Sequence, residues 1–111
     1  MGDMADDFRA WDEAKKKASR KRRERAWTAF DAAKKRAADA GLRLTRHSEQ
    51  HYQISDGAWI INLYPGNQRI YADPKRRRAP FLELKRPWSL MDAVEAAINQ
   101  RAEAYVKKGG A

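Results

Sequence analysis

An α+β domain is the fold class predicted by this 111-residue chain, and three observations predict it. From Asp3 to Ala40 there is neither Gly nor Pro, and the strong helix formers Ala, Lys, Arg and Glu dominate. From Tyr52 to Ala72 apolar and polar residues alternate around the turn signals Asp56-Gly57 and Pro65-Gly66, as in an antiparallel meander. From Ser89 a capping signature opens a second apolar stripe at helical spacing. The expected order is a long N-terminal helix, a three- or four-stranded antiparallel β-meander and a C-terminal helix packed on one sheet face.

In the first helix, Met4, Phe8 and Trp11 follow i, i+4, i+7, and Trp27, Phe30, Ala33 and Ala37 restart a similar stripe. Between them charged side chains occupy every face, which predicts an unburied stretch. The spacing allows either one continuous helix or a short N-terminal helix hinged near Ser19. Gly41 falls where a C′ residue with positive φ ends the helix and lets Leu42 fold back on the last turn.

Asp56-Gly57 is a two-residue hairpin signal. Pairing outward from it places Tyr52, Ile54, Trp59, Ile61 and Leu63 on one apolar face. His51, Gln53, Ile60, Asn62 and Tyr64 fall on the other, joined by Arg69 and Tyr71 if the second turn has two or four residues. Tyr64-Pro65-Gly66-Asn67 suits a type II turn, so Arg69 to Ala72 is the third strand. Pro74 ends it, and Phe81-Leu82-Glu83-Leu84 reads as a short edge strand. Ser89 and Asp92 form a capping box with Trp88 and Ala93 as its staple. Leu90, Met91, Val94, Ala97, Ile98, Tyr105 and Val106 form the stripe of the last helix, which frays at Gly109-Gly110.

The charge distribution carries the functional signal. Eight of the eleven residues from Lys15 to Arg25 are basic (Lys15, Lys16, Lys17, Arg20, Lys21, Arg22, Arg23 and Arg25), so this run holds +7 of the formal net charge of +9. Clustered cations release counterions from a phosphate backbone and attract it over a Debye length. The bland alternative is a solvated helical surface, but such surfaces usually interleave both signs. A second cluster, Lys75, Arg76, Arg77 and Arg78, lies in the loop before Phe81, with Lys85 and Arg86 close behind; guanidinium forks there suit bidentate phosphate contacts. The organisation expected is a basic helical arm over residues 1–25 and a single α+β domain over residues 26–108.

The polar sheet face is a third candidate surface. Tyr64 and Tyr71, beside Arg69, Asn62, Gln53 and His51, offer ring faces for bases and donors for their edges. Alternatively the N-terminal helix covers this face, with Met4, Phe8 and Trp11 packed on Ile60 and Tyr71.

Other functions find little support. With no cysteine there is no disulfide framework, thiol chemistry or cysteine-based metal site. His47, Glu49 and His51 lack a third histidine, and no metal or other cofactor is expected. No phosphate-binding Gly-rich loop, nucleophile elbow or HExxH occurs. No apolar run is long enough to span a bilayer, and the acidic start (Asp3, Asp6, Asp7) is unlike a secretory signal. The basic run has no bulky apolar face to insert into lipid. A soluble cytoplasmic protein that does not engage membranes is expected, a nucleoid or nuclear site being compatible.

Two resemblances are confined to pattern. Asp73 and Glu83-Leu84-Lys85 resemble the Asp…Glu-x-Lys pattern of a metal-dependent nuclease family, in which the two acids hold Mg²⁺ and the lysine assists water. Here Pro74 follows Asp73, the chain is short for that family's core, and no catalytic residue is assigned. The order helix, three strands, helix is similar to that of the double-stranded-RNA-binding domain. Its lysine cluster at the start of the last helix is replaced here by Ser89-Leu90-Met91-Asp92, and its Gly-Pro-x-His loop is absent. The expectation is therefore a small non-enzymatic protein binding duplex DNA or structured RNA. The alternative is a protein-interaction module, an inhibitor or accessory subunit of a nucleic-acid-handling complex, with Trp11, Trp27 and Tyr71 as anchors.

Overall fold

The computed structural model describes residues 3–73 and 79–109, with side chains over 10–73 and 79–100. Helix α1 (Asp3–Asp39) is continuous. The strands are β1 (Arg43–Arg46), β2 (Tyr52–Ser55), β3 (Ile60–Tyr64) and β4 (Arg69–Ala72), followed by helix α2 (Leu90–Gly109). The four strands form one antiparallel sheet in the order β1-β2-β3-β4. The fold is the expected α+β arrangement.

The fourth strand is β1, not the Phe81–Leu84 run. β1 is only four residues long with Leu44 its one fully buried side chain, too short to display a period of two. Residues 79–89 form no strand, although Leu82 is buried. A side chain fastens this segment instead of a ladder. Gln68 Nε2 donates to the Pro65 and Trp88 carbonyls at 2.9 Å each, and its Oε1 accepts from the Trp88 N–H at 2.6 Å. The carboxamide thus pairs with both backbone groups of Trp88 as a peptide unit would. With four strands the chain also departs from the three-stranded order of the double-stranded-RNA-binding domain.

Both hairpin loops are longer or differently shaped than the turn residues suggest. Ser55 pairs with Ile60, so Asp56 to Trp59 form the loop. The Asp56 carboxylate accepts from the N–H groups of Ala58 and Trp59 at 2.8 and 3.2 Å, capturing donors that a two-residue turn would leave to the ladder. The register moves by two residues, and an even shift preserves faces. Tyr52, Ile54, Trp59, Ile61 and Leu63 are accordingly all buried. Tyr64 pairs with Arg69, leaving Pro65 to Gln68 as the second loop; it closes through Gln68 N–H to Pro65 O, with Gln68 rather than Gly66 at positive φ.

Both helices pack on the apolar sheet face. Ala26, Phe30, Ala33 and Ala37 of α1 meet Leu44, Tyr52, Ile54, Ile61 and Leu63, with Leu90, Ala93, Val94 and Ala97 of α2 completing the core. Each fully buried Leu, Ile or Val contributes roughly 1.5–3 kcal/mol. Alanine on both helices permits the close α1–α2 contact, which Arg36 spans by donating to both Glu95 carboxylate oxygens at 2.6 and 3.3 Å. The Gly41 C′ position is realised: φ is 80°, Leu42 N–H reaches Ala37 O and Gly41 N–H reaches Ala38 O. The capping box is reciprocal, Asp92 N–H to Ser89 Oγ and Ser89 N–H to Asp92 Oδ2. At about 1.5 Å per residue α1 is roughly 55 Å long, so its N-terminal half overhangs the end of a sheet of five-residue strands.

Candidate nucleic-acid interface

The loops 47–51 and 65–68 lie at the same end of the sheet, and α1 overhangs that end. At 100° per residue the core stripe Ala26, Phe30, Ala33, Ala37 continues backward through Arg23, Arg22, Ser19, Lys16, Lys15 and Asp12. Lys17, Lys21 and Arg25 fall on the other side, Arg20 lies between the two, and all four are exposed. The basic run is therefore divided between two faces, one turned toward the sheet end and one away.

The inward side is docked. Arg22 Nε and Nη2 donate to the Gly66 carbonyl at 3.0 and 2.7 Å. A Cβ built on Gly66 would lie 2.7 Å from Arg23 Cγ and 3.0 Å from Ser19 Oγ, so the helix rests directly on the backbone of this loop. Arg22 and Arg23 are half-buried, and Arg23 Nε is inaccessible with no partner among the described residues. Charge on every face thus did not keep this part of the helix from packing, because both arginines pack their stems and Arg22 satisfies its fork on a carbonyl.

Beyond that contact the walls diverge into a groove of about 530 Å³. Asp12, Lys15, Lys16, Ser19, Arg22 and Arg23 line its helix side, and Gln50, Tyr64, Gly66, Asn67, Arg69 and Arg86 line the sheet side. Six of these are cations and Asp12 is the only acid. Lys16 lies 3.8 Å from Asp12, and Lys15 Nζ stands 4.5 Å over the Trp11 ring, both at the surface. Among the sequence-predicted residues, the fold brings Lys15, Lys16, Arg22, Arg23, Tyr64 and Arg69 together and leaves Lys17, Lys21 and Arg25 apart, while Arg20 shares a neighbouring hollow with Arg23 and with Glu49 of the 47–51 loop. Lys75, Arg76, Arg77 and Arg78 lie outside the described residues. Gln50 and Asn67 belong to the groove but had no distinguishing pattern, and Arg86 was noted only as trailing the second basic cluster; only extension of the core stripe into the basic run could have sorted the inward cations from the outward ones.

The outer sheet face adjoins the groove. Register places His51, Tyr64 and Arg69 in one cross-strand row and Thr45, Gln53, Asn62 and Tyr71 in the next. The rings are in contact: His47 on His51 at 5.0 Å, His51 on Tyr64 at 4.8 Å and 4°, and Tyr64 on Tyr71 edge-on at 5.9 Å. An amide network ties them together. His47 Nε2–H donates to Gln53 Oε1, while Gln53 Nε2 and His51 Nε2–H both donate to Asn62 Oδ1, at 2.7–2.8 Å. Arg69 Nη1 donates to the Tyr71 hydroxyl at 3.3 Å.

Trp11 does not cover this face: it is 58% exposed and Tyr71 is 49% exposed. A straight helix keeps its rotation, so the stripe that enters the core on the apolar side stays on that side as it overhangs. Met4 and Phe8 side chains lie outside the described ones. Trp27, also exposed, carries the Arg46 guanidinium 3.6 Å over its ring, with Phe30 at 4.5 Å. Among the described residues no group of three or more His, Asp or Glu converges as a metal site would require, and no helix is long and apolar enough to cross a membrane. No protein-family model matches the chain, and neither a curated protein nor a solved structure does.

Proposed function

We propose that this is a non-enzymatic nucleic-acid-binding protein that holds the phosphate backbone. The observation that carries this reading is the groove at the sheet end, where cations from α1 face cations from the sheet side and Asp12, on the helix wall, is the single acid in the lining. Like charges on opposed walls repel, and an anion between them removes that cost. Lys15, Lys16, Arg69 and Arg86 are the groove cations with heads available to phosphate; Arg22 is committed to Gly66. Lys17, Arg20, Lys21 and Arg25 add a second strip that raises encounter rates. Phosphate contacts of this kind position the protein and carry no base sequence.

Titration of purified protein with DNA and RNA at several salt concentrations tests this reading. Neutralisation of about six phosphates gives a slope of log K against log [salt] near −5 on duplex and near −4 on a single strand. A slope near zero removes the reading and turns attention to protein docking through the exposed Trp11 and Trp27. Nucleic acid incubated with the protein and Mg²⁺ or Mn²⁺ is expected to stay intact. Cleavage that disappears in both Asp73→Asn and Glu83→Gln would establish an enzyme instead.

A further inference from the structure

We infer that the ligand is single-stranded, with phosphate in the groove and a base on Tyr71; this rests on the nucleic-acid reading above and specifies its substrate class. Size is the first argument. The groove is open to solvent along one side, and its volume of about 530 Å³ is of the size that takes one small ligand, ~300–1,000 Å³. It takes a nucleotide or two of a flexible strand, whereas a duplex presents its phosphates on the outside of a stiff rod and meets the groove only along its rim.

Continuity is the second argument. Tyr64 and Arg69 belong to both surfaces: they line the groove, and they touch Tyr71 on the outer sheet face through ring contact and a hydrogen bond. A backbone seated between Lys15 or Lys16 and Arg69 therefore has its base within reach of Tyr71. Only an unpaired base can leave its stack to use that ring. His51 already occupies one face of Tyr64 in a parallel stack, so Tyr71, half-exposed and held by Arg69 at its hydroxyl, is the ring open to a base.

The base edge has a complement as well. Asn62 stands opposite Tyr71 in the register, and its Oδ1 is filled by two donors. Its amide nitrogen has no partner among the described residues and presents donors, which match the keto oxygens of thymine, uracil or guanine better than an amino group. The network that fills Oδ1 holds the amide in this orientation.

The test uses the full chain and fluorescein-labelled twelve-nucleotide probes: oligothymidylate, oligouridylate, oligoadenylate and a blunt twelve-base-pair duplex. The expected result is binding of the pyrimidine single strands at least about tenfold tighter than the duplex. Tyr71→Ala should weaken single-strand binding about 5- to 100-fold, the effect of losing one stacked base, and leave duplex binding unchanged. Tyr71→Phe should retain most of the affinity, since the ring and not the hydroxyl does the stacking, and it controls for damage to the sheet. Duplex bound as tightly as the single strands, or single-strand affinity unaltered in Tyr71→Ala, overturns this inference while leaving phosphate binding in place. Failure of every probe to bind at low salt overturns the nucleic-acid reading itself.

Discussion

Arg22→Met separates a helix docked on the sheet end from a free basic arm. Methionine keeps the length of the stem and nearly the same helix propensity, so the substitution removes little besides the guanidinium. In the structure that group makes two hydrogen bonds to one carbonyl, at 3.0 and 2.7 Å, on the buried residue Gly66. Hydrogen bonds with a charged partner contribute about 1.5–3 kcal/mol when buried. Arg22 is only half-buried, which reduces the figure to about 1–2 kcal/mol, including the carbonyl left without its donor. For a domain near 100 residues each kcal/mol lowers Tm by about 4–8 °C. Thermal unfolding followed by circular dichroism is the assay, with Lys21→Met as the control, since Lys21 sits on the outward face. Hydrogen exchange should also show faster exchange of α1 amides around residues 15–23 in Arg22→Met alone. If Arg22→Met unfolds at the same temperature as Lys21→Met and exchange is unchanged, the helix does not rest on the loop and the groove does not exist.

Gln68→Ala should cost about 2–3 kcal/mol, because three buried hydrogen bonds go and both backbone groups of Trp88 lose their partner; denaturant unfolding measures this, and a cost under about 0.5 kcal/mol would refute the clamp. Tyr52→Phe should change stability by less than about 1 kcal/mol, since the buried hydroxyl makes no well-aligned hydrogen bond and has only a weak interaction with the nearby Arg46 guanidinium to lose. Burial also raises the Tyr52 phenol above its ordinary 10.0, outweighing the nearby Arg46 charge. The folded state thus keeps a proton that the unfolded chain releases, so stability is intact below about pH 10 and falls as pH rises beyond it. Tyr52→Phe should escape that part of the alkaline loss. Arg36 holds the Glu95 carboxyl below its ordinary 4.5, so this pair stabilises above that pH and its contribution disappears as pH falls through the lowered value. Glu95→Gln should therefore lower Tm at about pH 7, and the difference from the parent should shrink as pH is taken down below 4.5; a difference that does not change with pH would show that the ion pair is not responsible.

Local patterns settled the elements. The Gly-free and Pro-free stretch, the alternation around Tyr52 to Leu63, Gly41 at the helix end and the Ser89–Asp92 box each act within a few residues, through backbone sterics, side-chain period or a capping bond. The two faces of the sheet were legible for the same reason, and they survived a misjudged loop length in a correctly read hairpin because the Asp56 carboxylate lengthened the loop by an even number. β1 was not legible, since one buried leucine in four residues sets no period.

Tertiary structure alone decided which charges lie together. The sequence holds a dense basic run, but its residues look alike until the core stripe fixes the rotation of α1 and turns Lys15, Lys16, Arg22 and Arg23 toward the sheet end. Arg69 and Arg86 then meet them from more than forty residues away, and Arg22 finds its acceptor on the bare backbone at Gly66. A lone glutamine, Gln68, replaces a strand pairing by coincidence of position. Periodicity reports which face of an element is buried; it carries no information about what lies across a gap, because that depends on how elements far apart in the chain are stacked.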